Sequence, residues 1–305
     1  MRGIAKLAMR GPVPAALLAA AFAYAGLMFA PSLVPSAAIV ALVVLRHGLA
    51  EGLKTAAFAS ATVAAVALLT FGKLGLAALV VIAPWGPIVA SAWILAATGN
   101  PGRAVALLGV FAVVFAASVR QSVPDIDAFW RERLEALGES VKAQGGHFLT
   151  GEEIATFAGL VHPGTVGAVT LCLVGALMLA RWWQSVLYRP GAFGEEFRAL
   201  CLPRWVFPVG VAASVAAWLA RGAGTGGSLL GDVGLVLVLL FSVQGLAIAH
   251  ERVHATGGRK GWLVGMYIVL GLVPHVGITA LAAAGVADVV TDFRRLRRPP
   301  TPPQA

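Results

Sequence analysis

Charge is what this sequence has least of. Asp, Glu, Lys and Arg make up 12% of its 305 residues, against about 25% in an ordinary soluble domain. A water-facing surface of normal polarity is therefore excluded. Cysteine is nearly absent too. Cys172 lies in an apolar run and Cys201 in a loop, with no C-x-x-C, so neither a disulfide framework nor a thiolate metal motif is in prospect. No apolar run carries an Asp, Glu or Lys near its middle, which weighs against a proton-driven antiporter or pump. Strict polar–apolar alternation is missing as well, which excludes a lipid-facing β-barrel.

What is there is apolar length. Runs with almost no charge cover 13–30, 33–45, 55–72, 74–97, 103–119, 163–180, 205–220, 229–249 and 261–287. A helix needs roughly 20 apolar residues to cross the hydrocarbon layer. The expected fold is an all-α polytopic integral membrane helix bundle of about 8–10 membrane segments. Arg2, Lys6 and Arg10 before the first run resemble the start of a cleaved leader. The length of that run, with Pro31, Pro35 and a second run directly after it, favours a retained first span.

Basic residues set the orientation, because Lys and Arg resist translocation. With the N-terminus inside, the inner segments hold 13 basic residues and the outer segments 6. Pro274 interrupts the last run, and a continuous helix would need the N–H it lacks. The expectation is a helical hairpin, 261–273 and 275–293, that enters and returns. That keeps Arg294, Arg295, Arg297 and Arg298 inside against acidic lipid headgroups. Both termini are then cytoplasmic in a bacterial inner membrane. The +9 net charge follows from topology and calls for no nucleic acid.

One stretch differs in composition. Between Asp125 and Glu153 stand seven acids and three bases. Ile126, Phe129, Trp130, Leu134, Leu137 and Val141 recur at helical period. Gln144-Gly145-Gly146 breaks the pattern, and Thr150 with Glu153 reads as a capping box opening a second helix. The organisation expected is therefore 1–120 as N-terminal membrane helices, 121–162 as an extracytoplasmic amphipathic helix pair, 163–298 as C-terminal membrane helices and 299–305 as a disordered tail. The pair is either a lid over an external cavity or an element resting on the lipid surface.

Polar residues inside the runs are few: Tyr24, Trp85 in PWGP, Ser242, Gln244, and His275 beside Pro274. Trp85, Gln244 and His275 are the candidate ligand-binding residues, though a buried Gln also serves as a helix-to-helix hydrogen bond. The charged clusters gather at the inner ends instead. Arg46 and Glu51 lie in LRHGLAEGL, Glu195, Glu196 and Arg198 in YRPGAFGEEFRALCLPRW, and Asp292 in ADVVTDFRRLRR. They are the candidate cytoplasmic interaction face; ordinary interfacial snorkelling is the other reading.

The same stretches carry a resemblance. LRHGLAEGL, ARWWQSVLYRPGAFGEEFRAL at 180–200, QGLAIAH at 244–250 and the terminal ADVVTDFRRLRR resemble the YybS-like family of bacterial polytopic membrane proteins. The resemblance implies a helical fold remotely similar to the substrate-binding subunits of energy-coupling-factor transporters. It implies no site residues.

HERVH at 250–254 matches H-E-x-x-H, which sets two zinc-binding histidines and a base on one helical face. His250 and His254 fall at the inner end of a span, where polar residues are expected anyway. Gly257-Gly258 ends the helix soon after, and no third ligand stands in a suitable context. The expectation is no catalytic residue, no metal and no cofactor. The functional expectation is a small-molecule binding or transport subunit of unknown ligand. A membrane scaffold docking cytoplasmic partners is the alternative, and an intramembrane zinc metallopeptidase the third.

Overall fold

A computed structural model describes residues 2–72, 82–221, 228–258 and 261–291. Among these, every regular element is helical. The helices are α1 (Arg2–Ala8), α2 (Pro12–Ala25), α3 (Leu33–His47), α4 (Leu49–Phe71), α5 (Trp85–Thr98), α6 (Pro101–Ser122) and α7 (Ile126–Ala143). They continue with α8 (Gly151–Tyr188), α9 (Ala192–Arg198), α10 (Val206–Arg221), α11 (Leu229–Ala255), α12 (Gly261–Leu272) and α13 (Pro274–Thr291). An all-α polytopic bundle is thus what the chain forms. Six stretches are long and apolar enough to cross a membrane: Ala30–His47, Leu49–Thr70, Pro101–Ser122, Gly151–Tyr188, Leu229–Ala255 and Pro274–Thr291. Pro12–Ala25, Trp85–Thr98 and Gly261–Leu272 are apolar but shorter.

Small residues let these helices approach closely, which matters where lipid offers no hydrophobic incentive to pack. Ala15, Ala16, Ala19 and Ala23 form the buried stripe of α2. Against it α3 buries every residue from Ser36 to Val44. The Ser36 hydroxyl donates to the Ala19 carbonyl across that contact at 2.7 Å. Gly48, at φ 89°, ends α3 and starts α4 in one residue, a backbone region that favours glycine.

The bundle has two recognisable ends. The Gln184 side chain of α8 donates to Leu45 O of α3 at 2.9 Å, so Tyr188 and His47 lie at one end, called the basic end here. The other, far end carries α7, packed along the first part of α8. Thr150 caps α8 as the spacing predicts. Its hydroxyl accepts from Glu153 N–H, and the Glu153 carboxylate accepts from Thr150 N–H at 2.8 Å.

Two expectations need correction. The second amphipathic helix does not stop at 162. α8 runs unbroken for 38 residues with Pro163 inside it. The proline costs one backbone hydrogen bond, and packing against α7 on one side and α3 and α11 on the other holds the helix together. The 162/163 boundary therefore falls within a single helix. The second correction concerns the C-terminal hairpin. The chain does break at Val273, giving α12 and α13, and they touch where Gly277 meets Leu270. But α13 is antiparallel to α11: Gly245 faces the Leu281 carbonyl, and Gly285 faces that of Phe241. It therefore starts near the basic end and carries Thr291 toward the far end instead of returning. The glycine-to-backbone fit with α11 decides this direction. The four arginines that motivated the return, with Asp292 and the 299–305 tail, lie outside the described residues. Lys73 and the first part of the run 74–97 lie outside them too.

Candidate functional site

Along α11, Asp232 and Arg252 stand twenty residues apart. That is about 30 Å of helix, the thickness of a bilayer's hydrocarbon core. Asp232 and Arg252 thus bracket an apolar stretch of about the length a bilayer core requires. Two polar clusters sit on this helix between those marks, separated by the buried apolar side chains of Val236, Leu239, Leu240 and Phe241.

The far cluster joins three helices. Asp232 of α11 is buried, 3% exposed. Its Oδ2 accepts from Arg120 Nε of α6 at 2.5 Å and its Oδ1 from Arg120 Nη2 at 3.1 Å. His162 Nε2 of α8, also buried, lies 3.1 Å from the same Oδ2. A carboxylate only accepts, so that ring nitrogen is the donor. The two-pronged guanidinium contact is the geometry that best compensates a desolvated carboxylate.

The second cluster lies about 18 Å further along α11, inside the layer. Gln244 is fully buried and uses both ends of its amide. Its Oε1 accepts from Leu202 N–H at 3.0 Å, and its Nε2 donates to Asp288 Oδ2 of α13 at 2.9 Å. Asp288 is 4% exposed. Leu202 belongs to the non-helical stretch between α9 and α10, whose Leu200 and Leu202 side chains are buried. The Cys201 carbonyl lies against Gly102 of α6, where any side chain would collide with it. Buried irregular backbone needs protein partners for its polar groups, and Gln244 supplies one for Leu202.

At the basic end a third network ties α9 down. Arg181 of α8 forms a two-pronged pair with Glu196, Nε to Oε2 at 2.6 Å, and also donates to Gln184. Arg198 pairs with Glu251 at 3.4 Å. Phe197 packs edge-on against His250, whose Nε2 lies 2.8 Å from the Tyr267 hydroxyl of α12. Arg46 stacks over the Tyr188 ring at 4.2 Å.

The residues singled out from sequence are distributed accordingly. Trp85 is buried between α5 and α3, its indole N–H donating to Ser36 Oγ at 3.1 Å. Gln244 is in the second cluster. His275 is exposed in the first turn of α13. Among the described residues the three share no hydrogen-bond partner. The polar atom of Trp85 is thus satisfied within the bundle. An apolar groove of about 300 Å³ between α10, α11 and α13, lined by Phe207, Gly210, Leu237, Phe241 and Val286 among others, includes none of them.

Of the charged candidates, Arg46, Glu51, Glu195, Glu196 and Arg198 do gather at the basic end. They are not equivalent there. Glu196 and Arg198 are held by partners in the bundle, Glu51 pairs locally with Lys54, and Glu195 is exposed. In HERVH, His250 faces Tyr267, Glu251 faces Arg198, and His254 is exposed. Among the described residues no three His, Cys, Asp or Glu side chains converge as a metal site would require.

Sequence reasoning missed Arg120, His162, Asp232 and Asp288. A signal for Asp288 was available. Leu281, Gly285 and Asp288 share one helical face, and the small residues Gly285 and Gly245 let that face meet the backbone of α11. Asp232 three residues inside an apolar run was the other overlooked mark.

No family model, no curated protein and no solved structure matches this chain.

Proposed function

We propose that this protein is a non-enzymatic membrane carrier or binding subunit for a small solute, with Gln244 and Asp288 as its recognition groups. The observation that carries the reading is a carboxylate and an amide buried together within the apolar layer, beside a break in helical structure. Intramembrane carboxylates are costly and are retained where they meet cargo or coupling ions. Broken helical segments beside such groups are how carriers present polar atoms at depth. Two polar clusters flanking an apolar layer suit a carrier at rest with both ends closed. The resemblance to the YybS-like family, remotely similar to transporter substrate-binding subunits, agrees with this reading.

The basic end is proposed to face the cytoplasm of a bacterial inner membrane. It gathers Arg46, Lys54, Arg103, Arg181, Arg189, Arg198 and Arg252, as the positive-inside rule asks. The exposed Glu195 on α9 is then the group best placed for a cytoplasmic partner.

Native mass spectrometry of the protein released gently from nanodiscs tests the carrier reading. The expected result is a non-lipid small molecule on the wild type, lost in Asp288→Asn and kept in Glu51→Gln. A wild type carrying lipid alone, or a bound molecule indifferent to Asp288→Asn, overturns it.

A further inference from the structure

We propose that the apolar groove between α10, α11 and α13 is a binding site for one acyl chain of a bilayer phospholipid, and that this chain completes the packing of α10. The proposal does not depend on the carrier reading.

Glycine placement makes the groove. Leu202, just ahead of α10, sits at Gln244, and Gly210 sits at Leu237 and Phe241, so α10 runs antiparallel to α11. Beside Gly210 the gap is small. A Cβ there would meet Leu237 Cδ1 at 3.6 Å and Phe241 Cε2 at 3.7 Å, which is ordinary contact. Beside Gly234 a Cβ would meet nothing within 4 Å. The helices thus touch at one point and leave a hollow around it, about 300 Å³ in volume.

The lining is apolar throughout among the described residues. Its floor is closed, with Phe241 4% exposed. Its lips are open, with Val211 47%, Val215 52% and Val238 39% exposed. These residues lie within the lengths of α10 and α11, and α11 is one of the candidate spans. The hollow therefore opens sideways from the bundle. What lies beside a membrane-spanning helix at that level is hydrocarbon.

Size selects the occupant. From Phe207 to Val215 is about 12 Å of helix. The volume of the groove spread over that length gives a cross-section of about 25 Å², roughly 6 Å across. An α-helix with its side chains is about 10–12 Å across, so a helix of a second copy can lie over the groove but cannot enter it. A single unbranched hydrocarbon chain has the right girth. At about 30 Å³ for each water-sized group, the groove takes roughly ten methylenes, a good part of one lipid tail.

Apolarity alone does not retain a lipid, because the bilayer is as apolar as the wall. Concavity does. A chain in the hollow meets protein on three sides, and dispersion adds over all those contacts. α10 gains in turn. Its principal packing partner is α11, and a seated chain joins Val211 and Val215 to Val238 of α11 and Val286 of α13. The stretch ahead of α10 brings Leu202 N–H to Gln244, so the lipid steadies that contact as well.

Photolabelling tests this. The protein is placed in nanodiscs of phosphatidylethanolamine and phosphatidylglycerol with a trace of phospholipid that carries a diazirine on its acyl chain. After illumination, peptide mass spectrometry locates the lipid adducts. Val110 and Val114 of α6 are the reference. They are 44% and 53% exposed, and they lie near the depth of the groove because Gly109 meets Leu240. Adducts on Val211, Val215 and Val238 should exceed the reference by about fivefold, the ratio that a preference of about 1 kcal/mol gives. Gly234→Leu fills the hollow and should abolish the excess. Val215→Phe narrows the mouth from a half-exposed lip and should do the same. Gly271→Leu is the matching change outside the groove, where a Cβ also meets nothing within 4 Å, and should keep the wild-type ratio. Equal adducts on groove and reference in the wild type overturn the proposal, whether or not the variants fold. So does an excess that survives both Gly234→Leu and Val215→Phe. A groove silent to the probe, in a protein that runs as a dimer but as a monomer in Gly234→Leu, overturns it in favour of a second copy.

Discussion

Replacing Gly245 by alanine puts a methyl group inside the contact surface of the Leu281 carbonyl oxygen, where α11 and α13 touch backbone to backbone. Neither atom belongs to a flexible side chain, so the helices must separate, by about 1 Å or more to restore van der Waals contact. The same movement stretches the Gln244–Asp288 hydrogen bond one residue away, 2.9 Å in the native packing. Overpacking of this kind costs about 1–3 kcal/mol, and a weakened hydrogen bond to a charged group adds about 1 kcal/mol or more. For a chain of this size a loss of 2–4 kcal/mol corresponds to a fall in apparent melting temperature of roughly 4–12 °C. Gly234→Ala on the same helix is the control, because nothing lies within 4 Å of a Cβ there. Detergent-solubilised protein, heated and run on fluorescence-detected size exclusion, reads both. If Gly245→Ala melts within a degree of Gly234→Ala, the antiparallel α11–α13 contact described above is wrong.

The direction of α13 makes a topological prediction. Reporter fusions after residues 145 and 300 should report the same side of the membrane and a fusion after 195 the opposite side; agreement between 195 and 300 would restore the hairpin. The basic-end network predicts unequal glutamates. Glu196→Ala, which strips Arg181 of its two-pronged partner, should lower thermal stability by about 1–2 kcal/mol, while exposed Glu195→Ala should stay within about 0.5 kcal/mol. If a partner docks on α9, pull-downs from native membranes should lose it in Glu195→Ala. Elemental analysis of purified protein should find zinc well below one per chain, unaltered by His254→Ala; near-stoichiometric zinc lost in that variant would revive the HERVH reading.

The elements were legible because they rest on local chemistry. Apolar length announced the spans, Pro274 announced the break before α13, and Thr150 with Glu153 announced the start of α8. What the sequence left obscure was which side of each span meets protein. A helix such as α11 is apolar almost all round, so its lipid face and its buried face look alike in composition. Long-range polar partners were hidden for that reason: Arg120 and Asp232 are 112 residues apart, and Gln244 and Asp288 are 44 apart. The partner of Trp85 was hidden differently. A lone aromatic between prolines gives no sign that Ser36, 49 residues earlier, will take its N–H. Pro163 misled because a proline inside a long helix needs only tertiary support to be absorbed, and that support comes from other helices.

The unbroken length of α8 makes it a lever. Its 38 residues amount to about 57 Å of helix, nearly twice the hydrocarbon thickness of about 30 Å. One arm carries α7 at the far end, and the other carries Arg181 and, through it, Glu196 of α9. Pro163 lies between them, where one backbone hydrogen bond is missing and the rod bends most easily. A tilt of about 5° there swings Tyr188, 25 residues on, through about 3 Å, because the arm is about 38 Å long. That is the full length of a hydrogen bond. The α7 end and Arg181 are thus joined by one continuous backbone rod as well as by side-chain contacts.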